Sequence, residues 1–162
     1  MSDIAIIGSG IAGLFSALKL ANAGHNVTVI TKQRLKDSST NWAQGGIAGI
    51  LDKTDIGAKE SHIEDTLKSG DGLCNEEMVR EVIEGAAECI FELVNIGVKF
   101  EKNQQGEFKL AKEGGHAERR ILHAKDATGR EIERALSEAA KNHHNISLMR
   151  NTLAIDLIQR DY

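Results

Sequence analysis

The sequence predicts an α/β fold, a parallel sheet with helices plus an antiparallel hairpin. Three observations predict it. Ile4 to Ile30 reads as strand, glycine turn, helix and strand, a complete βαβ unit. Further along, apolar residues at helical spacing alternate with short β-rich runs. The chain has 162 residues, the length of one ordinary domain, and no repeat, low-complexity tract or linker composition divides it.

Ile4 to Ile7 is wholly apolar, as expected of a parallel strand buried on both faces. Gly8 to Gly13 is a glycine-rich turn. Ile11 to Ala23 is the first helix, with a stop at Gly24. Val27 to Ile30 is the second strand. Lys32 to Asp55 is polar and aperiodic, too long for a simple connector, and such loops are commonly functional. Ser61 to Leu73 and Glu76 to Ile96 read as helices. The second carries an apolar stripe of Met78, Val82, Ala86, Ile90 and Leu93, and stops at Gly97. Val98 to Leu110 predicts a hairpin turning near Gln105-Gly106. A glycine loop at Glu113 to His116 leads to a short strand at Ile121-Leu122. Thr128 to Lys141 is a helix, with Thr128 and Glu131 at capping-box spacing. His143-His144 at its end suits the negative end of the helix dipole. Ile146 to Met149 and Leu153 to Ile158 are further strands.

Composition excludes several function classes. Apolar residues make up 41% and charged residues 27%, as in ordinary soluble proteins. A net charge of −4 gives no general pull towards nucleic acid or acidic membranes. Aromatics at 4% argue against a base-stacking platform. Cys74 and Cys89 read as buried thiols of a reducing compartment, and no metal site is expected. The segment before Gly24 imitates a signal peptide, but Asp3 stands where a basic cluster belongs and Lys19 interrupts the apolar part. No apolar run is long enough to span a bilayer, so the expected setting is the cytoplasm.

Gly8-Ser9-Gly10-Ile11-Ala12-Gly13 matches GxGxxG between a strand and a helix, the context that gives the pattern its meaning. Gly8 permits the tight turn, Gly10 lets the backbone approach a pyrophosphate, and Gly13 lets the helix pack close to the strand. Amides and dipole at the helix start favour phosphate. The turn therefore predicts a Rossmann-like dinucleotide site. The acidic residue usual at the end of the second strand is missing; Thr31-Lys32 stands there, with Arg34 and Lys36 nearby. The residues alone leave open an NADP site, a flavoprotein that holds the ADP half differently, and a solvated basic loop.

A second segment, Ser39-Thr40-Asn41-Trp42-Ala43-Gln44-Gly45-Gly46, resembles the succinate dehydrogenase and fumarate reductase flavoprotein superfamily, and within it the L-aspartate oxidases. Ser61-His62-Ile63-Glu64-Asp65-Thr66, Glu113-Gly114-Gly115-His116, Arg119-Arg120-Ile121-Leu122-His123-Ala124 and Asp126-Ala127-Thr128-Gly129-Arg130-Glu131 agree in order. The resemblance implies an FAD-binding sheet in which Ser or Thr followed by Lys ends the second strand, with Lys32 near the ribose. It implies cofactor contacts at Gly8 to Gly13, at Ser39 to Gly46, and at Leu153 and Ala154. Ser39 stands where dehydrogenases and fumarate reductases of the superfamily carry the histidine bonded to FAD, so noncovalent FAD is implied. Glu113 is placed near the substrate ammonium, and His116 near flavin or substrate.

The implied reaction is oxidation of L-aspartate to iminoaspartate on the route to quinolinate and NAD, with oxygen or fumarate as electron acceptor and a quinolinate synthase downstream. Family members are longer. The implied organisation is that residues 1–162 form the N-terminal portion of the FAD-binding domain, inactive alone, with capping and C-terminal helical domains absent. The alternatives are a fumarate reductase or succinate dehydrogenase subunit, an NADP-binding dehydrogenase using Lys32 and Arg34, and a noncatalytic nucleotide-binding module.

Overall fold

A computed structural model describes residues 3–125 and 127–159; Asp126 of the Asp126–Glu131 segment lies outside them. In chain order the elements are β1 (Ile4–Ile7), α1 (Ile11–Asn22), β2 (Val27–Ile30), α2 (Ser39–Trp42), β3 (Ile47–Ala48), α3 (Ile56–Ser69), α4 (Glu76–Ile96), β4 (Leu110–Ala111), β5 (Ile121–Leu122), α5 (Thr128–Asn142) and β6 (Ile146–Met149). They form two compact units, one of residues 1–43 and 129–162, the other of residues 44–128.

The first unit holds the predicted parallel sheet, in the order β1-β2-β6, with Ile4 opposite Val27 and Val27 opposite Ile146. Val27 and Val29 of the central strand are almost wholly buried. Helix α1 packs on all three strands and buries Leu14, Ala17, Leu18 and Ala21, an i, i+3, i+4, i+7 face. It ends as predicted at Gly24, whose φ is +95°; the His25 amide then donates to the Leu20 carbonyl at 3.1 Å, closing a Schellman turn.

Two expectations for this unit are corrected. β1 is not buried on both faces: it is an edge strand, its residues alternate between half-buried and exposed, and Ile7 is 59% exposed. Leu153 to Ile158 is not a strand. Asn151 turns the chain at φ +53°, no described strand pairs with the segment, and its apolar side chains are exposed. His143 is tied into the fold at the end of α5 rather than free in solvent. Its Nδ1 accepts from the Asn145 amide at 3.2 Å, which leaves the Nε2 proton for Asn22 Oδ1 at 3.1 Å.

In the second unit, β5 lies between β3 and β4 in an antiparallel sheet, with Leu122 opposite both Ile47 and Leu110. The predicted turn forms around Gly106, at φ +85°, and Asn103 donates to the Glu107 carbonyl at 2.8 Å. Its flanks join only through a bridge between Lys102 and Phe108; the regular pairing lies farther on, at Leu110-Ala111. Helix α3 begins earlier than predicted because the Asp55 carboxylate caps it, accepting from the Ala58 amide at 2.9 Å. Helix α4 has the predicted ends, but its buried face is Ile83, Ala87, Ile90 and Leu93, while Val82 is 66% exposed. Ile90 and Leu93 are buried as predicted, but toward the N-terminus the packed positions are Ile83 and Ala87 in place of Val82 and Ala86. At the start of α5 the Thr128 hydroxyl accepts from the Ala124 amide at 3.1 Å. Neither cysteine is fully buried: Cys74 is half-buried and Cys89 lies on the outward face of α4.

Candidate cofactor site

In the first unit the glycine turn has the geometry its sequence requires. Gly8 sits at φ +110°, and its amide donates to the Ile30 carbonyl at 2.9 Å, tying the turn to β2. A Cβ on Gly13 would press into the Gly8 carbonyl, so only glycine lets α1 start this close to the strand. Gly10 is the extended residue before α1. A Cβ there would meet Thr40 Oγ1 at 3.2 Å, a tight but not impossible contact. Ser9 is buried and turned inward, within hydrogen-bonding distance of the Thr31 hydroxyl at 3.0 Å and the Leu35 carbonyl at 3.1 Å. Its side chain fixes the turn, and its backbone is what remains for a ligand.

The second predicted loop contains α2, which the sequence left as aperiodic. Ser38 caps it, accepting from the Asn41 amide at 3.3 Å. Thr40 points back to the turn: its hydroxyl accepts from the Ile11 amide at 2.9 Å, one of the unpaired donors at the start of α1. The amides of Ala12 and Gly13 complete that helix start. Asn41 and Trp42 face differently, into a groove of about 950 Å³ that also includes Arg34, Glu133, Arg134 and Arg150. Trp42 is 71% exposed. Ser39, Ala43, Lys32, Leu153 and Ala154 are exposed.

The remaining predicted residues belong to the second unit. Gln44 and Gly45 are exposed. A Cβ on Gly46 would collide with Ile121 and the Leu122 carbonyl, so this glycine is already required by packing on β5. Glu113 is half exposed, with Oε1 2.9 Å from His123 Nε2 but out of line for a hydrogen bond. The His116 ring meets that of His62 edge-on, at 5.3 Å between centroids. His62 is buried, and that burial, with the charge of Arg120 beside it, lowers its pKa to about 4. The loop carrying Glu113 and His116 is anchored through Ala117, whose amide donates to Asp65 at 2.6 Å. Asp65 also receives Arg120, whose other nitrogen reaches the Ser61 hydroxyl at 3.0 Å. The Ala117 amide first, then Arg120, holds the Asp65 carboxyl below its ordinary value.

Sequence reading missed Ser38 and Glu133. The buried Glu133 carboxylate receives Ser38 at 2.7 Å and Ser137 at 3.0 Å. A glutamate within the amphipathic pattern of α5 was the available signal, but a partner 95 positions away has no local signature.

A glycine turn with Gly8 at positive φ and no room for a Cβ at Gly13, at the start of a helix that follows a parallel strand, fits a pyrophosphate and defines a dinucleotide-binding α/β domain. The chain belongs to the FAD binding domain family, which matches residues 3–162. It is 49% identical over 156 residues to the chloroplastic L-aspartate oxidase of Arabidopsis thaliana, covering 96% of this chain and 24% of that protein. It is 46% identical over 162 residues to the L-aspartate oxidase of Yersinia pestis, covering 98% of this chain and 30% of that protein. Among solved structures, a quinol-fumarate reductase with menaquinol superimposes with a TM-score of 0.88 at 26% identity, covering 99% of this chain and 28% of that one. The Mycobacterium smegmatis Sdh1 complex gives 0.84 at 26% identity, covering 93% and 27%. The chain thus spans between 24% and 30% of the curated relatives it matches. Among the described residues, no helix is long and apolar enough to cross a membrane.

Proposed function

We propose that this chain supplies the ADP-binding part of a flavoprotein that oxidises L-aspartate to iminoaspartate, with FAD bound noncovalently and oxygen or fumarate as electron acceptor. The observation that carries the reading is the glycine turn with Gly13 packed against the Gly8 carbonyl and Thr40 closed on the Ile11 amide. Similarity to named L-aspartate oxidases over 96% or more of the chain supports the substrate. FAD supplies the hydride-accepting chemistry when bound. The residues of this chain bind and orient: Gly8 to Gly13 hold the pyrophosphate, Lys32 lies near the ribose, and Ser39 to Gly46 with Leu153 and Ala154 line the cofactor. Glu113 receives the substrate ammonium, with His116 beside it.

The placement of Arg34 counts against the NADP alternative. Its guanidinium is held by Asp37 through two nitrogens, at 2.9 and 3.2 Å, so it is not free for a 2′-phosphate. The fumarate reductase and succinate dehydrogenase alternative is disfavoured by Ser39, which cannot make the covalent flavin link. The cytoplasm and a downstream quinolinate synthase belong to the same proposal; the plant relatives are named as chloroplastic.

The test is purification of the full-length protein followed by absorbance. The expected result is a flavin spectrum released into the supernatant by acid precipitation, and its loss in Gly10→Val. Flavin retained on the precipitated polypeptide would refute noncovalent binding, and unchanged FAD affinity in Gly10→Val would refute the turn assignment.

A further inference from the structure

The α2 segment has four residues, too few to hold a helix by its own hydrogen bonds. Something outside it must fix its position, and Glu133 of α5 is placed to do so. Its side chain is almost wholly buried, in the interior of the first unit. One carboxylate oxygen accepts from Ser38 at 2.7 Å and the other from Ser137 at 3.0 Å. Ser38 in turn accepts from the Asn41 amide, so one hydroxyl both caps α2 and ties it to α5. Two residues along, Thr40 receives the Ile11 amide at the start of α1. The backbone agrees: the Gly129 amide donates to the Ala43 carbonyl at 3.1 Å, and a Cβ on Gly129 would collide with the Thr40 and Ala43 carbonyls. Helix α5 therefore grips α2 from both of its ends.

We infer that Glu133 is a positioning residue for the cofactor turn: it fixes Ser38, and through Ser38 the α2 helix whose Thr40 closes on the first amide of α1. The assignment rests on the FAD reading above for its consequence, though not for its geometry. A neutral amide can still accept from Ser38 through its one oxygen, while its NH2 faces Ser137, whose hydroxyl can turn to accept. Burial pushes the Glu133 carboxyl above its ordinary value, while the two hydroxyls pull it down.

The test uses the full-length protein as Glu133→Ala, Glu133→Gln, Ser38→Ala and the Glu133→Ala, Ser38→Ala double variant. FAD affinity is read from quenching of flavin fluorescence, and amide hydrogen exchange is followed at Ile11 and Asn41 without ligand. Glu133→Ala should weaken FAD about tenfold and speed exchange at both amides, while Glu133→Gln should stay within about twofold of the parent. The double variant should bind no worse than the weaker single one, because the effect runs through one bond chain. Unchanged FAD affinity in Glu133→Ala, or additive losses in the double variant, would overturn the inference. If Glu133→Ala does not fold, Ser38→Ala decides alone: unchanged affinity and exchange overturn it. If the parent binds no FAD, the function reading fails, and exchange at Ile11 and Asn41 still accepts or rejects the link.

Discussion

Arg120 and Asp65 join β5 to α3 by an ion pair of 3.0 Å, in which the guanidinium is 1% exposed and the carboxylate 18%. The two partners are not equivalent. Removing Asp65 leaves a buried cation that, among the described residues, keeps the Ser61 hydroxyl and no carboxylate. Removing Arg120 leaves a partly hydrated carboxylate that keeps the Ala117 amide. Uncompensated buried charge is the costly outcome, so Asp65→Asn should lower the urea midpoint more than Arg120→Met. The reverse order would show that the pair does not dominate. The Asp65 contribution is fully present above the ordinary carboxyl value of 3.8 and is lost as pH falls through its lowered folded value.

The first and third glycines of the turn do different work from the second, and alanine separates them. Gly13→Ala drives a Cβ into the Gly8 carbonyl, so stability should fall by about 1–3 kcal/mol, whether or not a ligand is present. Gly10→Ala meets only Thr40 Oγ1, at 3.2 Å, so its stability should stay within about 1 kcal/mol of the parent. FAD affinity should nonetheless drop in Gly10→Ala if the turn holds the pyrophosphate as proposed, because the new methyl group presses on Thr40, whose hydroxyl closes on the Ile11 amide. Thermal unfolding and FAD titration of both variants measure the split; equal stability losses would contradict it.

His62 makes stability depend on mild acid. Its folded pKa of about 4 lies below the ordinary 6.5, so between these values the unfolded chain binds the proton and the folded one does not. Stability due to the neutral ring is therefore present above pH 6.5 and is lost as pH falls towards 4. The slope should approach one proton. His62→Gln should remove that part of the slope and leave the carboxylate contributions in place. Denaturation curves at several pH values, compared between parent and variant, give the difference directly; identical slopes would place His62 in water.

What could be read from the sequence was local. The β1–α1–β2 unit was legible almost to the residue because Gly8 and Gly24 mark a backbone state that side chains disfavour and Gly13 a close approach that leaves no room for a Cβ. The end of α4 was legible for the same reason, at Gly97, and so were the buried Ile90 and Leu93, but the inward face nearer its N-terminus was not. Val82 and Ile83 are adjacent apolar residues, and only the packing partner decides which is buried. The site's supports were illegible because they are distant pairs: Ser38 with Glu133, and Arg120 with Asp65. Gly46 belongs to the segment implied to contact the cofactor, yet β5 already requires a glycine there. Its lack of a side chain thus has a packing cause, independent of any ligand.

Glu113 carries the most specific functional prediction. It sits directly before Gly114, which has φ +51°, so the carboxylate stands at a sharp bend rather than within a packed strand. The carboxylate is half exposed and lies 2.9 Å from His123 Nε2, out of line for a hydrogen bond. If it receives the substrate ammonium in the full-length protein, that charge-assisted bond contributes about 1.5–3 kcal/mol. Glu113→Gln should then lower kcat/KM for L-aspartate oxidation by roughly ten- to a hundred-fold. Fumarate has no ammonium group, so fumarate reduction by the same variant should change far less. A structural glutamate would harm both reactions equally, and a bystander would leave both alone. Steady-state kinetics with the two substrates distinguish the three cases, and only the unequal loss keeps Glu113 in the site.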